Sequence, residues 1–151
     1  MSELFPPINE LSAAALAYLG DSVLELLVRE HLIASGLSTA AHLNTAARHF
    51  VTAPSQAEAM KKILPVLSEQ EAAVFRRGRN NVHTNVPKRA SVSEYRTATG
   101  MEALFASLYL QGNIARAREL FAIGYPDPDF AANHVVTPRE DVDNLTTWYG
   151  F

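Results

Sequence analysis

Residues 16–32 read LAYLGDSVLELLVREHL, and this stretch decides the fold of the chain. Its apolar residues recur every three or four positions and no proline interrupts them, which is typical of an amphipathic helix. Ser12 is a capping candidate ahead of the pattern, so we predict one long helix from Ser12 to about Ile33. Gly20 lies inside this helix, where glycine costs about 1 kcal/mol relative to alanine, so it needs a further reason.

A second long helix is predicted from Ser91 or Ser93 through Leu110, and it contains TGMEALFASLYL at 99–110. Like the first helix, it has a glycine directly or nearly followed by an acid, and small residues surround both glycines. Small residues allow two helix backbones to approach closely. We therefore predict that the two helices pack through Gly20 and Gly100, which would bring Asp21 and Glu102 into one site.

The rest of the chain is also predicted to be helical, with no convincing strand. Shorter helices are expected at about 39–49, from 52 to before Pro65, from the capping box Ser68–Glu71 towards Gly78, and at about 113–123. Residues 80–90 lack periodicity and are interpreted as a loop long enough to suspect function. The predicted fold class is all-α, a helical bundle.

Length and charge limit the possible functions. A chain of 151 residues without cysteine fits one domain that holds no disulfide and no thiolate metal site. The net charge of −3 argues mildly against nucleic acid, but residues 76–96 form a basic block with six bases and one acid. The leader-free start and the short apolar runs predict a soluble intracellular protein without a membrane span. We expect a domain at 1–124 and an acidic C-terminal tail at 125–151, either flexible or docked.

Two carboxylates on closely packed helices suit a divalent cation. Mg²⁺ takes oxygen ligands and keeps several waters, so one or two carboxylates per ion are adequate. The alternative is that Asp21 and Glu102 are ordinary solvent-facing acids. Both have apolar neighbours in the sequence, where an unpaired charge would be costly. Glu25 either pairs with Arg29 one turn later or joins the site through a water.

These motifs resemble the ribonuclease III family. LAYLGDSVLELLVREHL at 16–32 is similar to its signature helix, and TGMEALFASLYL at 99–110 is similar to its second catalytic helix. The chain also resembles the short branch called Mini-ribonuclease III, in AARHFVTAPSQA at 46–57, VFRRGRN at 74–80, Pro87-Lys88 and YRTATGMEAL at 95–104. Four motifs in the family's order, in a chain too short for a double-stranded-RNA-binding domain, make the resemblance specific.

The resemblance implies the ribonuclease III fold, a homodimer, and Mg²⁺-dependent cleavage of double-stranded RNA, ribosomal RNA precursors (23S) in particular. It assigns Asp21 and Glu102 as catalytic metal ligands. Larger members have two further acids, and those positions hold Ala17 and Thr99 here. The Mini branch typically lacks both as well, but the departure leaves open a thinner metal shell, weaker Mg²⁺ binding or lost activity.

The basic block predicts the RNA surface, because A-form RNA is bound through phosphates and 2′-hydroxyl groups by cations and short polar donors. The residues expected to contact RNA are Arg76, Arg77, Arg79, Asn80, Thr84, Lys88 and Arg89. The alternative is a solvated helix end that favours the helix dipole.

Two other functions stay open at this point. A non-catalytic helical RNA-binding module acting in ribosome assembly would also need the basic block, and a helical interaction domain without RNA would fit the negative net charge. The presence of both Asp21 and Glu102 favours the enzyme. The expected location is the cytoplasm, with an organellar stroma as the alternative.

Overall fold

The computed structural model describes residues 5–81 and 91–126, and these contain helices and no strand. Within these ranges six α-helices follow one another: α1 (Ala13–Ala34), α2 (Ala40–Ala47), α3 (Ala53–Ile63), α4 (Glu69–Asn80), α5 (Val92–Leu110) and α6 (Ile114–Gly124). Short 3₁₀ turns occupy Ile8–Glu10 and Leu64–Val66. The all-α prediction is therefore confirmed. In the described ranges, no helix is both long and apolar enough to cross a membrane.

Helix boundaries follow the capping residues that the sequence contains. The Ser12 hydroxyl accepts a hydrogen bond from the Ala15 backbone N–H at 3.0 Å, and α1 begins at the next residue after Ser12. Of the two candidates for α5, Ser91 is the cap, and it forms a reciprocal capping box with Glu94. Gly112 ends α5 with a φ of 74°, a left-handed conformation that glycine adopts without steric cost.

Helix α5 is the centre of the bundle. It packs against α1, α3, α4 and α6, and its residues Met101, Phe105 and Ala106 are completely buried. Because α5 is covered on several sides, its apolar residues do not form one narrow stripe. The largest fully buried side chains come from α1, α3, α4, α5 and α6: Leu16, Leu32, Met60, Ile63, Phe75, Met101, Leu104, Phe105 and Leu120.

Helix α4 continues two residues beyond the predicted end near Gly78. Gly78 is buried in the helix, and a Cβ atom there would lie 2.8 Å from the Ala103 Cβ and 3.0 Å from the Gly100 Cα. This glycine allows α4 to approach α5 closely and is not a helix terminator. The sequence pattern could not distinguish the two roles, because glycine is common at helix ends.

The Glu71 carboxylate links α6 to α4 through hydrogen bonds. Glu71 caps α4 through the Ser68 backbone N–H at 2.8 Å, and both its oxygens accept hydrogen bonds from Arg116 at 2.9 Å. Arg116 also donates to the Val66 carbonyl oxygen at 2.9 Å. The Arg116 hydrogen bonds lower the pKa of Glu71 below its ordinary value. This half-buried network positions α6 on the core.

The predicted boundary between domain and tail stays a prediction, because residues 127–151 lie outside the described part of the chain. Tyr125, placed in the tail from sequence, packs its ring at 5.1 Å from that of Phe50 and 4.7 Å from that of Phe121. Burial raises the pKa of Tyr125 to about 12. The packed part of the chain therefore extends at least to this tyrosine.

Candidate active site

The crossing of α1 and α5 is set by Gly20. A Cβ atom at this position would lie 1.7 Å from the backbone oxygen of Glu102 and 2.3 Å from its carbonyl carbon. No side chain fits there, so the backbone of α1 lies directly on the backbone of α5. Because Asp21 follows Gly20, the crossing places the two acids beside each other. The prediction that Gly20 allows this close approach is confirmed.

The corresponding prediction for Gly100 is wrong. A Cβ atom at Gly100 would lie 2.7 Å from the Phe75 carbonyl oxygen and 2.8 Å from two atoms of the Phe75 ring. Gly100 thus allows α4, and not α1, to approach α5. The reason is helix geometry: Gly100 and Glu102 are two residues apart, about 200° around the helix, so they face opposite sides.

The two carboxyl groups have different surroundings. Asp21 is exposed, and it has no hydrogen bond or ion pair with another residue of the described ranges. Glu102 is partly buried, and burial together with the nearby charge of Asp21 raises its pKa to about 7. The charged form of Glu102 is therefore less favourable in the protein than it is for an ordinary glutamate. A bound cation would offset both effects and favour the carboxylate.

The residues present fit a hydrated Mg²⁺ ion with few protein ligands. Within residues 5–81 and 91–126, no group of three or more histidine, cysteine, aspartate or glutamate side chains is placed to hold a metal. Ala17 is buried, and the Thr99 hydroxyl donates to the Tyr95 carbonyl oxygen at 3.0 Å, so neither position adds a carboxylate. Mg²⁺ retains water in most sites, so two carboxylates and substrate phosphate are sufficient to bind it.

A cavity of about 220 Å³ adjoins Asp21. Asp21, Glu25 and Gln56 form its polar lining, and its remaining walls come from Leu24, Val28, Phe50, Val51, Phe121 and Tyr125. Glu25 also pairs with Arg29 at 2.7 Å, and both side chains are more than half exposed. The structure thus shows the surface ion pair expected for Glu25 and also places this residue at the cavity beside Asp21. Sequence reasoning missed Gln56, for which no spacing or composition signal stands out.

The predicted RNA-binding residues differ in their exposure and in the contacts that they already make within the protein. Arg76 and Asn80 are exposed on the last turns of α4. Arg79 donates to the Asn80 side chain at 3.2 Å, and its guanidinium lies 5.6 Å from the centre of the Phe75 ring. Thr84, Lys88 and Arg89 lie outside the described residues.

Arg77 is engaged inside the protein. Its guanidinium donates to the backbone oxygen of Ile8 at 3.2 Å and to that of Leu11. These bonds hold the segment before α1 against α4. No sequence signal linked Arg77 to a segment more than sixty residues earlier, because such a contact exists only in the folded chain.

The basic end of α4 packs on α5, the helix that carries Glu102. Gly78, which separates Arg77 from Arg79, lies against Thr99, Gly100 and Ala103 of α5, whereas Glu102 faces α1. Cationic side chains and two carboxylates are therefore placed on adjoining helices.

Comparisons with known proteins agree with this architecture. The ribonuclease III domain family matches residues 14–113. The chain is 42% identical to Mini-ribonuclease 3 of Symbiobacterium thermophilum over 73% of this chain and 85% of the relative. It is 40% identical to Mini-ribonuclease 3 of Brevibacillus brevis over 78% of this chain and 88% of the relative.

A crystal structure of protein FN1578 from Fusobacterium nucleatum superimposes with a TM-score of 0.69 and 29% identity, covering 77% of this chain and 93% of that one. The helical packing and the sequence similarity lead to the same result: the chain belongs to the ribonuclease III family and resembles its Mini-ribonuclease III branch.

Proposed function

We propose that this chain is an Mg²⁺-dependent endoribonuclease that hydrolyses phosphodiester bonds in double-stranded RNA. The family to which it belongs consists of endoribonucleases. The single observation that carries the proposal is the contact between Gly20 and the Glu102 backbone, because it brings the exposed Asp21 near the partly buried Glu102. Two such groups side by side repel each other unless a cation binds them.

When bound, Mg²⁺ supplies charge stabilisation at the phosphoryl oxygens and lowers the pKa of a coordinated water. The protein contributes the placement of the ligands. Asp21, at the protein surface, would meet the ion and the substrate phosphate, while Glu102 would hold the ion from the more buried side. The rigid crossing at Gly20 keeps the two groups at a constant separation, which avoids reorganisation during the reaction.

We propose that RNA lies across the end of α4 and the loop that follows it. Arg76, Arg79 and Asn80 provide described cationic and polar groups beside α5, and we retain Thr84, Lys88 and Arg89 as proposed contacts. Arg77 was predicted to contact RNA, but its two internal hydrogen bonds support a structural role. Arg76→Ala should therefore weaken duplex binding and reduce its salt dependence by about one unit of slope. Arg77→Ala should lower stability more than binding.

A homodimer is the assembly that would place two sites on the two strands of a duplex. Apolar side chains exposed on α1, the helix that bears Asp21, support it: Tyr18 is 85% exposed, Leu26 48% and Ile33 36%. A monomer rarely leaves large apolar residues along one helix uncovered. We propose that a second copy covers this side of α1.

The resemblance to Mini-ribonuclease III supports two finer proposals. The native substrate would be precursor 23S ribosomal RNA, and the location would be the cytoplasm or an organellar stroma. Processing of 23S precursors by extracts with and without the protein would test the substrate.

The second candidate function is a non-catalytic RNA-binding module in ribosome assembly. Ala17 and Thr99 favour it, because they leave the site with two carboxylates where larger family members have four. The two candidates differ in a single measurable property, which is cleavage.

The deciding experiment incubates the wild type and the double variant Asp21→Asn, Glu102→Gln with long duplex RNA in Mg²⁺ or Mn²⁺. The enzyme proposal expects cleavage by the wild type and a loss of several orders of magnitude in the variant, with RNA binding retained. An exposed acid elsewhere, replaced in Glu69→Gln, provides the control. If the wild type leaves the duplex intact, or the double variant cuts equally well, the RNA-binding module takes the place of the enzyme.

A further inference from the structure

Gln56 is a buried polar residue for which the packing of the protein gives no reason. Its side chain lies on α3 and is 7% exposed. No hydrogen bond joins its carboxamide to another group of residues 5–81 and 91–126, although its backbone N–H donates to the Thr52 carbonyl oxygen at 3.0 Å. No fully buried side-chain polar atom in these ranges lacks a partner, so the carboxamide atoms of Gln56 remain accessible from the cavity that this residue lines. A carboxamide that faces a cavity without a protein partner is available to hydrogen-bond ordered water or a ligand there.

The other buried polar side chain in the described ranges shows the contrast. Ser107 accepts a hydrogen bond from the Gln111 side chain at 3.1 Å, so its burial is compensated inside the protein. Tyr125, which also borders the cavity, donates its hydroxyl to the Phe50 carbonyl oxygen at 3.4 Å. Gln56 is therefore a lining residue whose side chain is mostly buried and whose carboxamide faces the cavity without a hydrogen bond to the described residues.

The cavity that Gln56 lines is suited to a hydrated cation. Its described lining includes the carboxylates of Asp21 and Glu25 and no lysine, arginine or histidine. The Glu25 charge is balanced by Arg29, so Asp21 supplies the negative charge that would attract a cation and repel an anion. The volume of about 220 Å³ accommodates several waters, each of which takes roughly 30 Å³ in the liquid. A carboxamide both donates and accepts hydrogen bonds, so it can orient such waters.

We propose that Gln56 is a positioning residue of the metal site, holding the water shell of a divalent cation bound at Asp21. This inference rests on the proposed Mg²⁺ site and adds a neutral outer ligand from α3 to acids from α1 and α5. It also offers a reason why two carboxylates suffice here, since Gln56 would stabilise metal-bound waters in place of the two further acids of larger family members. Loss of such an outer ligand typically weakens metal binding by about 10- to 100-fold.

The test measures Mg²⁺ and Mn²⁺ binding to the full chain by calorimetric titration, without RNA. Gln56→Leu keeps the volume and removes the polar atoms, and we expect its metal affinity to fall at least tenfold. Its metal-free melting temperature should change little, because the carboxamide makes no hydrogen bond to the described residues that the substitution would remove. Gln56→Glu should bind Mn²⁺ more tightly than the wild type, a gain that a purely structural role would not produce.

Two control variants separate the possible failures. Ser107→Ala removes the satisfied buried hydroxyl and should leave metal affinity unchanged. Asp21→Asn should abolish binding, and a wild type that binds no metal, or an Asp21→Asn variant that binds it normally, would reject the proposed metal site together with this inference. If Asp21→Asn abolishes binding while Gln56→Leu binds metal like the wild type, only the role of Gln56 is rejected. Weaker duplex-RNA binding in EDTA with unchanged metal affinity would assign Gln56 to RNA contact and also overturn the proposal.

Discussion

Replacing Glu102 with glutamine should stabilise the metal-free protein at neutral pH. Burial and the charge of Asp21 raise the pKa of Glu102 from 4.5 to about 7. Each pKa unit corresponds to 1.36 kcal/mol. At a pH above about 7, where Glu102 is ionised in the folded chain, its raised pKa therefore lowers the free energy of unfolding by about 3 kcal/mol. Glutamine keeps the shape and carries no charge, so it removes this penalty.

The sign of the effect depends on pH in a defined way. Below pH 4.5 the carboxyl group is protonated in both folded and unfolded chains, and Glu102 costs nothing relative to glutamine. As the pH rises from 4.5 to about 7, the unfolded chain releases its proton first, and wild-type stability falls. The advantage of Glu102→Gln should therefore appear across this interval and stay constant above it.

The measurement is urea unfolding in EDTA at several pH values between 4 and 8, with thermal melting as a second readout. A gain of about 3 kcal/mol corresponds to a rise in melting temperature on the order of 10 °C for a chain of this size. The control is Glu58→Gln. Glu58 is exposed, and its hydrogen bond with Lys61 at 2.7 Å lowers its pKa, so this variant should lose a little stability at neutral pH.

Added Mg²⁺ should reverse the order of the two proteins. The ion stabilises the wild type by binding its carboxylates, while Glu102→Gln has lost one ligand and gains less. If Glu102→Gln unfolds at the same urea concentration as the wild type at every pH, Glu102 is not desolvated as the structure indicates. The electrostatic argument for the metal site would then be refuted.

Three further perturbations test the packing, the α4–α6 network and the assembly. Gly20→Ala places a Cβ atom where the Glu102 backbone lies, so we expect a loss of at least about 4 kcal/mol in unfolding experiments; a near-normal stability would show that the helices do not touch there. Arg116→Met leaves Glu71 without its partner and should lower the free energy of unfolding by about 2 kcal/mol at pH 7. This loss should shrink as the pH falls and Glu71 is protonated, and a loss independent of pH down to about 3 would contradict the ion-pair argument. Tyr18→Ser should weaken a dimer built on α1 at least tenfold by analytical ultracentrifugation, and an unaltered dimer would move the interface elsewhere.

The sequence alone determined the helices, because their caps and breakers act locally. Ser12, the Ser68–Glu71 capping box and Gly112 lie at the predicted ends, and each works through backbone groups within about four residues. The glycine–acid pairs also pointed to Asp21 and Glu102, although their roles as metal ligands stay proposals.

Only the tertiary structure decided which surfaces meet. Gly20 and Gly100 look equivalent in the sequence, yet Gly20 allows α1 to approach α5 closely, whereas Gly100 allows α4 to do so. Arg77 belongs to a basic run, but its guanidinium binds backbone oxygens near the start of the chain. Gln56 has no local signal, and only the folded chain places its mostly buried side chain in the wall of the cavity that Asp21 also lines. These properties depend on the rotation of each helix about its axis and on contacts between distant segments, which local periodicity does not specify.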